Sequence, residues 1–462
     1  MRSLKPRFST LRKILRVLFV YDEEARLNLF ELFPPLKSFF ANRRYFALVR
    51  TFGDIAFTIL ILAGLFGPQD PQRNAMLFVS WGIWWTGIVL SWFFVGRMWC
   101  GFCPFPGLGR LLQRLGLYRA QIPPRWITKY CAYVATLLFA LIIWAEAVFH
   151  MKYSPLATAI LLLSILFGAT LLAVFFKGQA WCRHFCPLGK IIGSAATLSI
   201  LEFRADHEKC RGCQTFACKR GKDGLSGCPV YLGAYAARNN LICLVCGHCI
   251  PLCDRDSPAL FLRHPLKELI INKGRHLTCT YIIPFLLASQ VARFIQEKAS
   301  WYQAFKESLF DSEALAFSFI LVFMFVVFLF IIRLGAELFT IYEDELFGRF
   351  SPMVPVLVPL AFTGELVYRL EYLPHEAGNF LPTLGRQLHL SSLERLSFQI
   401  SERFIHFLLP LTLLAGLAGA IVTAYLLAFR EFEGLVPRKN FAIIVGLACL
   451  IAGIYFYFVI IP

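Results

Sequence analysis

The sequence predicts an all-α polytopic membrane protein of about nine transmembrane helices, with one small cysteine-rich domain inserted among them. Three observations predict it. Of the 462 residues, 58% are hydrophobic and 16% charged, with a mean hydropathy of +0.62, more apolar surface than a water-soluble domain keeps out of water. Apolar runs of the roughly 20 residues that cross a bilayer recur along the chain. Eight of the 15 cysteines fall between Cys210 and Cys253, in the one long polar stretch.

In chain order, residues 1–46 hold ten Lys/Arg, with Leu11, Ile14, Leu15 and Leu18 at helical spacing among Arg12, Lys13 and Arg16. That pattern suits a basic helix on the membrane surface or a solvated tail. Asp22, Glu23 and Glu24 interrupt any continuation into the apolar core of a cleavable signal. Apolar runs at 47–67, 75–96, 128–150, 155–176, 277–296, 314–336, 352–370, 404–429 and 440–461 give nine spans. The run at 277–296 is the weakest because it carries Arg293, and 352–370 carries Glu365 and Arg369. Asp54, Glu146 and His406 also lie in or beside apolar runs, where ionisable groups mark quinone, proton or ion sites unless they pair at span ends.

The net charge of +17, from 46 Lys+Arg against 29 Asp+Glu, would on its own suggest nucleic acid. Its placement points to a membrane instead: loops 68–74 and 151–154 are nearly free of Lys/Arg, whereas 97–127 and 177–276 are basic. With the amino terminus inside, the two basic segments are expected on the cytoplasmic side of a prokaryotic inner membrane, and the carboxyl terminus, after nine spans, outside. The expected organisation is a basic segment at 1–46, two repeated transmembrane hairpins at 47–202, the cysteine-rich domain at 203–262, and a carboxyl-terminal bundle at 263–462.

The repeat is visible in its endings. The first hairpin closes with Gly96-Arg97-Met98-Trp99-Cys100-Gly101-Phe102-Cys103-Pro104, and the second with Gly178-Gln179-Ala180-Trp181-Cys182-Arg183-His184-Phe185-Cys186-Pro187. A proline in the first turn of a helix leaves the preceding cysteine at the cap, where unpaired N–H groups favour a thiolate. Cys100, Cys103, Cys182 and Cys186 are therefore a candidate redox or metal site, against the plainer reading of structural thiols. Cys131, Cys279 and Cys449 sit singly in apolar runs and read as buried small hydrophobes.

In the polar domain, Cys243, Cys246, Cys249 and Cys253 form C-x2-C-x2-C-x3-C, the run in which three thiolates wrap one cubane and the fourth reaches another. The complementary set is Cys210, Cys213 and Cys218, followed by Cys228-Pro229. Cross-ligation assigns Cys210, Cys213, Cys218 and Cys253 to one [4Fe-4S] cluster, and Cys243, Cys246, Cys249 and Cys228 to a second. Zinc also accepts four thiolates, yet its sites usually arrive as paired C-x2-C knuckles. Sixty residues bury little apolar surface, so such a domain leans on its metal. The fold class is thus an all-α membrane protein with an inserted two-cluster ferredoxin-like domain.

On these motifs, residues 47–262 resemble the membrane polyferredoxins, the group related to the quinol-oxidising subunit of periplasmic nitrate reduction, the nitrous-oxide-reductase maturation flavoprotein and the ferredoxin-like accessory protein of oxidase assembly. That group usually carries C-x3-C-P; Cys182 and Cys186 match it, and Cys100 and Cys103 are one residue short. The resemblance implies electron transfer at the membrane, often linked to a quinone pool, with a redox protein or other subunits of a respiratory complex as partners. Two other classes stay open: an assembly or metal-handling factor for a respiratory metalloenzyme, and a redox-gated transporter or sensor. No dinucleotide fingerprint or Walker loop is present.

Overall fold

The structure is a computed structural model that describes residues 5–222, 224–271, 277–339, 352–398, 400–431 and 434–460. Among these, eight helices are long and apolar enough to cross a membrane: Phe46–Phe66, Ala75–Val95, Arg125–Val148, Pro155–Phe175, Glu313–Leu338, Met353–Glu371, Glu402–Glu431 and Arg438–Val459. A ninth long helix, Leu277–Lys298, occupies the weakest of the predicted spans. It falls short in apolarity because Gln290, Arg293, Gln296, Glu297 and Lys298 crowd its last turns.

The chain divides into two compact units. The first comprises residues 1–57, 91–131 and 165–272, the second residues 58–90, 132–164 and 273–462.

In the second unit the helix Met353–Ala377 is the centre, with its apolar window wholly enclosed by protein. Small residues let its neighbours come close. A Cβ added at Gly416 would stand 2.0 Å from Thr363 Oγ1, so the helix Glu402–Tyr425 packs there backbone to side chain. By contrast, Phe319, Phe323, Val326 and Phe330 are exposed along Glu313–Leu338, as lipid-facing positions are. Cys279 is buried as expected, but Cys131 is half-buried and Cys449 exposed, because their helices turn those faces outward.

In the first unit a three-stranded antiparallel sheet supports the cysteine-rich loops. Pro258–Arg263 lies in the middle, flanked by Leu201–Ala205 and by Arg26–Asn28 from the amino-terminal segment. That segment starts as the helix Lys5–Phe19 with Leu11, Leu15 and Phe19 exposed. It continues past its strand to place Phe30 and Phe40 in one core with Phe203, Val245, Ile250 and Leu260. Burying two such rings contributes about 1.5–3 kcal/mol each.

Behind the sheet lies a buried ion network. Arg204 Nη2 pairs with Glu202 at 3.1 Å and also with Glu268, while Arg263 Nη1 reaches Glu268 Oε1 at 3.2 Å. The backbone N–H of Asn240 donates to both Glu268 oxygens at 2.9 and 3.0 Å. This carboxylate therefore ties the start of the Cys243–Cys253 run to the sheet. Burial raises the Glu268 pKa, and both arginines oppose that shift. Glu268→Ala leaves two buried guanidinium groups short of a counter-charge, so the unit should lose about 3–5 kcal/mol. Thermal melting of the holoprotein checks this, and an unchanged midpoint would contradict it.

Candidate metal centres

Cys228, Cys243, Cys246 and Cys249 line one cavity, together with Leu232, Ala237, Leu244 and His248. A second cavity is lined by Cys210, Cys213, Cys218 and Cys253, with Thr215, Tyr235 and Ser257. Among the described residues no three such side chains draw close enough to grip a single ion. In each set the four thiols line a cavity.

The two sites differ in environment. Burial, with Cys228 and Cys243 adding negative neighbours, pushes the Cys246 thiol up to about 12. Burial likewise raises Cys243 and carries Cys249 well above the ordinary thiol range. Such thiols ionise when a cation replaces the proton. Cys213, near solvent, is lowered by hydrogen bonds from the Phe216 N–H and the Thr215 hydroxyl. Cys253 Sγ accepts from the Ser257 N–H at 3.4 Å, and Cys210 Sγ lies 3.3 Å from Ser257 Oγ. A tight hairpin, Gly221–Lys222 with Leu225–Ser226, takes up the chain between Cys218 and Cys228.

The four Cys-Pro thiols also come together. Cys103 feels the charge of Cys100 and Cys186, and Cys182 that of Cys186, Cys103 and Cys100. Burial is the largest cause in each case; it raises Cys103 and Cys182, and pushes Cys186 up to about 11. Both hairpins enter the motif through a left-handed glycine, Gly96 at φ +58° and Gly178 at φ +65°, a region glycine occupies without steric cost.

The one-residue difference between the motifs is absorbed locally. Met98–Phe102 is an α-helical turn, whereas Trp181–Phe185 is a π-turn closed by the Cys186 N–H donating to Trp181 O at 2.8 Å. A π-turn holds one residue more per turn, which takes up the extra residue of C-x3-C between Cys182 and Cys186. Cys186 does cap a helix, Pro187–Ala195, its sulfur accepting from the Gly189 N–H at 3.2 Å. Cys103 does not: its chain turns first, and the next helix starts at Gly107, where Asp54 pairs with Arg110 at 3.2 Å. The expectation that both Cys-Pro pairs open helices therefore holds for one of them.

Apolar contacts chain the three thiol sets. Cys182 and Cys246 share a buried cluster, with Cys100 and Cys228 packed against it. Gly101 lies so near that a Cβ there would stand 2.6 Å from Cys246 Cβ. Cys218, with Cys210 and Cys249 against it, joins the two cavities. Sequence reading did not single out Arg97, Asn240 or Glu268 as parts of these sites. Only the place of Arg97 inside the repeat could have drawn notice to it.

The second unit holds a polar cavity of its own, lined by Glu146, His150, Lys152, Arg293, Glu297, Tyr302, Glu313 and Tyr368 among others. Lys152 Nζ pairs with Glu297 at 3.3 Å and Glu146 at 3.6 Å. Tyr368 donates to Glu297 at 2.6 Å. Deeper, Glu365 accepts from Arg293 at 2.7 Å and Arg369 at 3.0 Å. Arg369, one turn on in the same helix, is thus an ion-pair partner of Glu365, and a second helix supplies another, Arg293.

Residues 77–123 and 158–193 match the 4Fe-4S binding domain family, so the match falls on the Cys-Pro hairpins. The chain is 29% identical over 192 residues to an uncharacterized protein of Methanocaldococcus jannaschii, covering 39% of this chain and 71% of that one. It is 29% identical over 153 residues to protein NirI of Paracoccus denitrificans, covering 28% and 22% of the two chains. Over 132 residues it is 30% identical to the putative electron transport protein YccM of Escherichia coli, covering 24% and 37%. The likeness thus spans well under half the length of the latter two. No solved structure matches the chain. These similarities agree with the polyferredoxin resemblance.

Proposed function

We propose that this protein is a membrane-bound iron–sulfur electron carrier, passing single electrons between the membrane and a redox protein partner. The observation that carries the reading is the pair of cavities, each ringed by four cysteines in cross-ligating order. Cys210, Cys213, Cys218 and Cys253 would hold one [4Fe-4S] cluster, Cys228, Cys243, Cys246 and Cys249 a second, and Cys100, Cys103, Cys182 and Cys186 a third. A bound cluster of this type takes up and releases one electron at a time.

The chain's own groups prepare these sites. Backbone N–H donors at Gly189 and Ser257 meet ligand sulfurs, and the apolar contacts among Cys182, Leu244 and Cys246 keep water out. The contacts order the sites from the Cys-Pro set through the inner cavity to the one nearest solvent, where a redox protein or another subunit of a respiratory complex would dock. On the membrane side the donor or acceptor is a quinone. The carboxylates and tyrosines around the second unit's cavity are the groups that would meet its hydroxyl or carbonyl oxygens and take up or return protons. The basic loops support a cytoplasmic position for the iron–sulfur unit at a prokaryotic inner membrane.

Anaerobic purification with iron and acid-labile sulfide analysis and low-temperature EPR tests the reading. Three clusters of this type amount to about twelve iron and twelve sulfide per chain. About eight of each would remove the Cys-Pro cluster alone, and zinc without labile sulfide would overturn the function.

A further inference from the structure

We infer that Arg97 is a positioning residue that raises the reduction potential of the Cys-Pro site, supplying the counter-charge its occupant needs. This rests on the reading that those four thiols hold a cluster. Arg97 is 3% exposed, and among the described residues it has no carboxylate partner. Its Nη1 donates to the Leu241 carbonyl, while its Nε is buried without a hydrogen-bond partner. A buried cation left unpaired is strongly destabilising, so something anionic is owed to it. The thiols are next to it. A Cβ built on Gly189 would stand 3.1 Å from Arg97 Nη2 and 3.4 Å from Cys186 Sγ, so the absent side chain lets the guanidinium approach that sulfur. Gly193 leaves room on the other side, where a Cβ would lie 3.4 Å from Arg97 Nη1 and 2.7 Å from Leu241 O.

Four thiolates around a [4Fe-4S] core carry net negative charge, and reduction adds one electron more. A fixed guanidinium in a low-dielectric site stabilises the reduced form over the oxidised one, which raises the potential; net charge and hydrogen bonding to sulfur are the levers that set it. The charge comes from one repeat only. The residue three before the corresponding cysteine in the second hairpin is Gln179, so Arg97→Gln imposes on the first repeat what the second already has.

The test is a redox titration of the full-length protein followed by EPR, with the Cys-Pro signal assigned by its loss in Cys182→Ser. Arg97→Gln should shift the reduced-to-oxidised ratio of that signal at fixed potential at least about tenfold toward oxidised, about 59 mV for a one-electron couple. Arg97→Lys should restore most of it, and the signals of the eight-cysteine domain should not move. A loaded Arg97→Gln protein with an unmoved midpoint overturns the inference. Should Arg97→Gln fail to load, Gly193→Ala decides, since it displaces the Arg97–Leu241 contact without touching a thiol; an unmoved midpoint there overturns the inference equally. A native protein with only two clusters fails earlier, at the iron count, and sinks the third site along with Arg97's role.

Discussion

Cys246→Ser should abolish one of the two cluster signals of the small domain and loosen the loops that carry its neighbours. Cys246 is buried, lines the inner cavity, and belongs to the apolar cluster that contains Cys182. A serine hydroxyl is a poor ligand for iron, and three remaining thiols close to one another repel once ionised. Metal binding in small domains of this kind is itself folding free energy, about 10–16 kcal/mol for structural zinc sites, so losing a ligand should loosen the loops packed on the apolar core around Phe203. Iron should fall by about four per chain, and limited proteolysis should open the chain near Asn240–Cys253. Full iron content with serine at 246 would place the ligand elsewhere.

Cys100→Ser and Cys182→Ser, made separately, should each abolish the same EPR signal or electron flow, and the double variant should be no worse than either. The two residues come from different hairpins, yet Cys182 lies within electrostatic reach of Cys100. Ligands of one cluster act as a unit, so their effects do not add. Additive partial losses, or intact electron transfer when all four Cys-Pro cysteines are serine, would leave these thiols structural.

Much of this was legible in the residues because cysteine spacing and apolar run length are local quantities. The C-x2-C-x2-C-x3-C run named three of the cysteines that line one cavity, and Cys253 among those that line the other. Glu365 and Arg369, one turn apart in an apolar run, stood out as ionisable groups, and the structure pairs them with each other. What was not legible is non-local. Nothing in the neighbourhood of Arg293 announces that it reaches Glu365 from another helix. Nor does the basic segment at 1–46 reveal that Arg26–Asn28 completes the sheet under the cysteine loops, since three residues carry too little pattern to read as a strand. The helix 277–298 shows the same limit: its apolar first half reads as a span, and its polar end is accommodated by partners the sequence does not name.

The π-turn at Trp181–Phe185 separates the length of a motif from the position of its last residue. If the two hairpins descend from one duplicated segment, a single inserted codon between Cys182 and Cys186 would have been taken up as a bulge, with the helix beyond Pro187 left in register. Copies of such a segment can therefore drift in length without losing the convergence of their thiols. A search keyed to one fixed cysteine spacing would miss half of the pair.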